Sequence, residues 1–225
     1  VGANIDSTNS ATSGHAMTTA SSNYTWKYVS DGYRDTVGAR ATQVALGGYG
    51  RLLFSNNLVA VNEVTTQTYF KINSPLTTVA QFMSYGDSNR ALTLQLNTDL
   101  TISTLTYASG TVIETSAPLA LGTWYRMDTQ VVGGSGTSGS YDIKIYEADT
   151  GNLTLSMVQT NTNTNRGGLA AGVNMVYWGK LDTNSVTFDL SLDYISMDRQ
   201  LVTIDPLPPV GDGILRKTSS DGAPL

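Results

Sequence analysis

Two carboxylates flanking a sugar cleave a glycosidic bond when they stand about 5–5.5 Å apart, with retention, or about 6.5–9.5 Å apart, with inversion. Asp189 and Asp193 are the acidic pair on one face of a single expected strand. At a rise of about 3.3 Å per residue their backbones stand roughly 13 Å apart, beyond either geometry unless a bulge intervenes. Glu147 and Asp149 are closer, but Asp149 opens Asp149-Thr150-Gly151-Asn152, where an aspartate ordinarily bonds its own turn. The single histidine, His15, lies in a Ser/Thr-rich leader, and Ser135 sits in a Gly/Ser hairpin loop. A Ser-His-Asp relay therefore lacks both its base and its elbow. With no cysteine, thiolate nucleophiles, thiolate metal sites and disulfides are excluded.

Binding a sugar without cleaving it asks for an exposed ring flanked by amides and charges. Tyr85, Asp87, Asn89 and Arg90 fall together at one loop. Tyr177 lies out of phase with Val176 and Trp178, so it is the ring that points outward. These five are the expected ligand-binding residues. Trp26, Trp124 and Trp178 are expected in core or corner packing. Only oxygen ligands for a metal are present in number, which makes calcium the ion that fits, although no cofactor is required. Near Asp193 the apolar phase slips from Val186, Phe188, Leu190 and Leu192 to Ile195 and Met197, as a bulge would produce.

The elements that must position these residues are short strands. Charged residues are only 14% of the chain, and Thr, Ser, Asn and Gly abound, the composition of strands joined by polar turns. Alternation of period two marks Arg51 to Val61, Val64 to Ile72, Thr78 to Tyr85, Ala91 to Asn97 and Leu100 to Tyr107. After a central hairpin come Leu153 to Val158, Gly172 to Trp178 and Val186 to Met197. Leu92, Leu94 and Leu96 share one face, as do Tyr125, Met127, Thr129 and Val131, with Arg126, Asp128 and Gln130 opposite. Residues 1–22 read as a polar arm, 23–202 as one sandwich domain, and 203–225, with three prolines in its first seven residues, as a Pro/Gly-rich extension. A net charge of −5 without a clustered basic patch excludes nucleic acid as a partner. No apolar run approaches the roughly 20 residues that cross a bilayer, so no membrane partner is expected.

The hairpin Gly122-Thr123-Trp124-Tyr125-Arg126 with Tyr141-Asp142-Ile143-Lys144-Ile145-Tyr146 resembles the central hairpin of laminin-G/concanavalin A-like jelly rolls. Gln67-Thr68-Tyr69-Phe70-Lys71-Ile72, Leu92 to Leu96 and Phe188 to Met197 extend the resemblance over roughly residues 24–200. It implies an all-β, two-sheet antiparallel sandwich. The style of composition is most like the modules of bacteriophage minor tail or decoration proteins. In related folds a structural ion bridges the start of the sandwich to an acid of its last strand, a position Asp193 matches. Two roles stay open for Asp193, a calcium ligand with Asp6 or Asp31, or an exposed aspartate at the bulge. The superfamily's Glu-x-Asp-x-Glu pattern and the lyase motifs Arg-x-Glu-x-Arg, Gln-Ile-His and Tyr-x-Lys-x-Gly are absent. The expectation is thus a non-enzymatic virion or extracellular attachment module with weak glycan binding. Its outer surface would carry no cluster of proton-transferring groups, and its partners would be a surface glycan and neighbouring virion subunits or further copies of itself. The alternative is an extracellular polysaccharide-active enzyme, hydrolase or lyase, or its carbohydrate-binding module.

Overall fold

In a computed structural model the described residues are 2–5, 18–33, 37–43, 47–54, 63–86, 90–106, 110–133, 139–162, 173 and 175–198. Among them the strands in chain order are β1 (Thr18–Ser22), β2 (Tyr24–Val29), β3 (Gly38–Gln43), β4 (Tyr49–Phe54), β5 (Glu63–Ile72), β6 (Ala80–Gly86) and β7 (Arg90–Leu96). There follow β8 (Ile102–Thr106), β9 (Val112–Thr115), β10 (Trp124–Val132), β11 (Gly139–Glu147), β12 (Leu153–Thr162), β13 (Met175–Lys180) and β14 (Leu190–Asp198). The front sheet runs β12-β11-β10-β5-β14-β3-β2 and the back sheet β1-β4-β13-β6-β7-β8-β9, and every pairing between these strands is antiparallel. The all-β two-sheet expectation holds. Among the described residues no helix is long and apolar enough to cross a membrane.

Alternation explains how the sheets stack. Along β10, Tyr125, Met127, Thr129 and Val131 are buried while the residues between them are half-buried. Leu92, Leu94 and Leu96 answer from β7. An apolar face on each sheet is hidden against the other, the main favourable contribution to such a sandwich. Three aromatic groups also reach polar atoms across the layer. Trp178 Nε1 donates to Thr68 Oγ1 at 3.1 Å, the Tyr85 and Thr66 hydroxyls lie 2.7 Å apart, and those of Tyr141 and Thr104 lie 2.8 Å apart. The hydroxyls of Thr66, Thr68 and Thr104 are thereby satisfied. Loss of hydration pushes the Tyr141 hydroxyl up to about 12.

Lys180 is fully enclosed. Its ammonium donates to Asp182 Oδ1 at 2.7 Å, to Asp182 O at 2.8 Å and to Gly48 O at 3.1 Å. Those three acceptors use its three protons. Asp182 Oδ2 also accepts the Gln81 amide at 2.6 Å, so this ion pair ties the chain after β13 to β6 and to the turn before β4. Gly179, at φ +96°, lets β13 come close to β4, since a Cβ there would stand 2.3 Å from Gly50 O and 2.5 Å from the Trp26 indole.

Parts of the expected N-terminal arm belong to the sandwich. Ile5 is buried and its amide donates to Trp26 O at 2.9 Å, while β1 pairs with β4 from Thr18↔Leu53 to Ser22↔Tyr49. Small polar residues form strands here because the ladder on β2 and β4 accepts their backbone groups. The extension 203–225 lies outside the described residues. The bulge appears as expected: the β14–β5 register shifts between Asp193 and Ser196, and Tyr194 takes φ +43°.

Candidate functional site

The outer face of the front sheet is built by three neighbouring strands in register. Successive residues of a strand face opposite sides, so on β5 the side chains of Thr65, Gln67, Tyr69 and Lys71 face away from the core. Pairing sets Lys71 opposite Trp124, and Tyr69 opposite Arg126, which in turn faces Tyr146 on β11. The next row is Gln67, Asp128 and Lys144, and the row beyond is Thr65, Gln130 and Asp142. Strands stand about 4.8 Å apart, so each row brings three side chains within reach of one sugar unit.

These rows are wired together. Asp128 Oδ1 accepts Gln67 Nε2 at 3.0 Å, and Asp128 Oδ2 lies 3.2 Å from Arg126 Nη2. The Arg126 guanidinium carbon is 4.2 Å from the Tyr146 ring centroid. Lys144 Nζ donates to Asp142 Oδ2 at 2.8 Å, and Gln130 Nε2 donates to Glu63 Oε1. Burial pushes the Asp128 carboxyl above its ordinary range, against the opposing pull of Arg126, Gln67 and Lys144. Asp142 beside Lys144 holds that ammonium above its usual value. The field opens toward β11: the Arg126 and Asp128 side chains are 11% and 16% exposed, those of Lys144 and Asp142 41% and 30%.

One end of the field is roofed by the chain after β2. Tyr33 stacks on Tyr69 with centroids 5.0 Å apart and stands 5.9 Å from Trp124. Lys71 Nζ lies 4.9 Å from the Trp124 ring and donates to Asp31 at 2.6 Å. Tyr69 is accordingly buried despite facing outward, whereas Tyr146 is half-buried. On the far flank Arg40 grips Asp189 with two bonds, 2.8 and 2.5 Å, and Asn73 Nδ2 bonds Asp189 Oδ1 and Ser191 Oγ.

Of the five residues expected to bind a ligand, the side chains of Tyr85 and Tyr177 are described, and they stand on opposite faces of the back sheet. Tyr85 is fully buried, its hydroxyl on Thr66, because the β6 phase turns it into the core; it is no exposed platform. Tyr177 points outward as expected, but from the back sheet, and donates to Met175 Sδ at 3.2 Å. Arg90 begins β7, and Asp87 and Asn89 lie outside the described residues. Asp193 pairs with Tyr69, is buried, and accepts the Tyr194 amide at 2.8 Å. Asp31 is committed to Lys71, and Asp6 lies outside the described residues. Among the described residues no three histidine, aspartate or glutamate groups gather that could hold a metal.

The expected absence of a proton-transferring cluster is also corrected. Gln67, Arg126, Asp128, Lys144 and Tyr146 converge on the outer face, and none was singled out as a site residue. Alternation along the hairpin places Arg126 and Asp128 outward, but it does not state the hairpin's register or that β5 lies beside it. Had that register been taken from the facing apolar positions, Arg126 opposite Tyr146 would have followed.

No family model and no curated protein matches this sequence. Among solved structures it is similar to an endo-β-1,4-glucuronan lyase from the fungus Trichoderma reesei, with 11% identity and a TM-score of 0.59 over 90% of this chain and 97% of that one. Cellulose induced protein Cip1 matches with 11% identity and a TM-score of 0.60 over 89% of this chain and 99% of that one. The marine PL-14 alginate lyase from Aplysia kurodai matches with 7% identity and a TM-score of 0.55 over 74% of this chain and 84% of that one. Two of the three are lyases by name and none is named as a virion or adhesion protein; the expectation of a non-enzymatic chain is withdrawn on this finding. The chain has the concanavalin A-like jelly-roll fold.

Proposed function

We propose that this chain is a polysaccharide lyase acting on a uronate-containing polymer. The observation that carries the reading is the row in which Arg126 stands between Tyr69 and Tyr146, with Gln67 and Asp128 in the next row. β-Elimination needs a group that draws charge from the uronate carboxylate and a group that moves a proton at C5. Arg126 and Gln67 supply donors for the carboxylate, and Lys144 adds positive charge at the open side. Tyr146 is the half-buried phenol beside Arg126. Acting as the base, its oxygen takes the C5 proton; the electron pair forms the C4–C5 double bond; the C4–O bond breaks, and the departing oxygen takes that proton. Tyr69 is less suited, being covered by Tyr33. The carboxylates Asp128 and Asp142 are each held by a cation, which favours elimination over hydrolysis by an acid and base pair.

The expected glycan partner fits this reading, and action on a polymer fits the expected extracellular location. The virion and its neighbouring subunits rest on composition alone. The test is a panel of acidic polysaccharides, glucuronan and alginate included, followed by ultraviolet absorbance of unsaturated uronate and by reducing-end release. Absorbance rising with new ends supports a lyase. New ends without absorbance would make the chain a hydrolase, and binding without either would make it a binding module.

A further inference from the structure

Asp128 touches both donors that would meet the substrate carboxylate. One oxygen takes Gln67 Nε2 from β5 at 3.0 Å and the other faces Arg126 Nη2 two residues along β10 at 3.2 Å. We propose that Asp128 is a positioning residue that locks Gln67 and Arg126 into one anion cradle and sets the net charge that the cradle presents to an acidic sugar. This deepens, and rests on, the lyase reading.

The locking follows from the donors' geometry. Gln67 is buried, and one amide hydrogen committed to Asp128 fixes how its amide is turned. Arg126 is held from two sides, by Asp128 on its own strand and by the Tyr146 ring on the next. A guanidinium pinned in this way has its plane set, the condition for a two-point grip on a carboxylate.

The charge follows from the neighbours. From β5 Asp128 meets the neutral Gln67, with Tyr69 one row away; from β10, Arg126; from β11, Lys144 directly opposite, with Asp142 and Tyr146 on either side. Arg126 and Lys144 against Asp128 and Asp142 leave the cradle neutral. Protonating Asp128 leaves one positive charge. Burial moves that proton uptake above the ordinary carboxylate range, where a uronate is still ionised. Acidic oligosaccharide therefore binds more tightly as pH falls through the Asp128 titration.

The test uses the full chain and a hexamer of glucuronic acid, with calorimetric affinity and steady-state turnover measured across a mildly acidic to neutral pH series. For the wild type, affinity weakens by about 5-fold as pH rises through the Asp128 titration, the scale of one partly screened charge. Asp128→Asn removes that slope and binds tightly at every pH. Its kcat falls about 10–100-fold, because an amide cannot accept from both donors and the cradle loses its alignment. Asp128→Glu keeps the slope while losing kcat, and it serves if the asparagine variant does not fold. A slope that survives in Asp128→Asn, a flat wild-type affinity, or an unchanged kcat in either variant overturns the proposal. Intact pH-dependent binding with no unsaturated product would retire the lyase reading and leave Asp128 its role in the cradle. Turnover with flat affinity would do the reverse, and no binding of the hexamer at any pH overturns the Asp128 proposal.

Discussion

Arg126 and Tyr146 face each other across β10 and β11, the guanidinium carbon 4.2 Å from the ring centroid. A cation on an aromatic face is held with its plane defined, and when little water reaches it the attraction amounts to about 1–2 kcal/mol. This contact joins the group that would draw charge from a carboxylate to the phenol that would move the proton. The chemistry proposed here depends on both being present at once.

Arg126→Ala should lower kcat/KM on the polymer that responds by about 10–100-fold, the scale of one charge-assisted hydrogen bond to a carboxylate. Arg126→Lys should recover only part of it, since a point charge cannot reproduce the planar fork. Initial rates of absorbance increase decide the matter, and a lysine variant as active as the wild type would show that charge alone suffices.

Tyr146→Phe should cost about 100- to 10 000-fold in kcat, the usual worth of a positioned proton-transfer group, and leave oligosaccharide affinity near the wild-type value. Tyr69→Phe, beneath the Tyr33 ring, should cost far less. The opposite ranking would move the proton transfer to Tyr69 and require Tyr33 to swing away.

Asp128 should also leave its mark on stability. An acid whose value stands above the ordinary range in the fold binds its proton more tightly there than in the unfolded chain. Its contribution is full below the unfolded value and is lost as pH rises through the folded one. The stability difference between Asp128→Asn and the wild type should therefore move in favour of the variant as pH rises and back as pH falls. Urea unfolding over a pH series measures this, and a constant difference would contradict it.

Across the core, the hydroxyls of Thr66 and Tyr85 satisfy each other at 2.7 Å. Tyr85→Phe should cost about 1–3 kcal/mol because it strands the threonine oxygen in an apolar layer. Adding Thr66→Val should cost less than the two single effects summed, which denaturant unfolding of the double-mutant cycle reads directly. Full additivity would mean that water replaces the lost partner.

Much of the architecture was legible along the chain. In Leu92-Thr93-Leu94-Gln95-Leu96 and in Tyr125 to Val131 the period of two states which side chains face the core, a property set within one strand by its pleat. The bulge after Asp193 was legible for the same reason, since an extra residue leaves an audible skip in that period. Strands without a strong pattern were not. Gly38-Ala39-Arg40-Ala41-Thr42-Gln43 and Val112-Ile113-Glu114-Thr115 become β3 and β9 because a ladder is waiting for them, and Thr18 to Ser22 likewise completes the edge beside β4.

Tyr85 shows where local reading ends. Ahead of Gly86-Asp87 it has the position of an exposed loop ring, yet its hydroxyl finds Thr66 on the opposite sheet, a partner that exists only once the sheets stack. The polar field has the same origin: Gln67 and Asp128 lie 61 positions apart and meet because β5 settles beside β10. Sequence alone determined the strongly alternating strands and the side on which their residues stand, since alternation is local chemistry. Tertiary structure decided which strands are neighbours, since that choice follows from closing two apolar faces over each other, and with it which outward residues become a site.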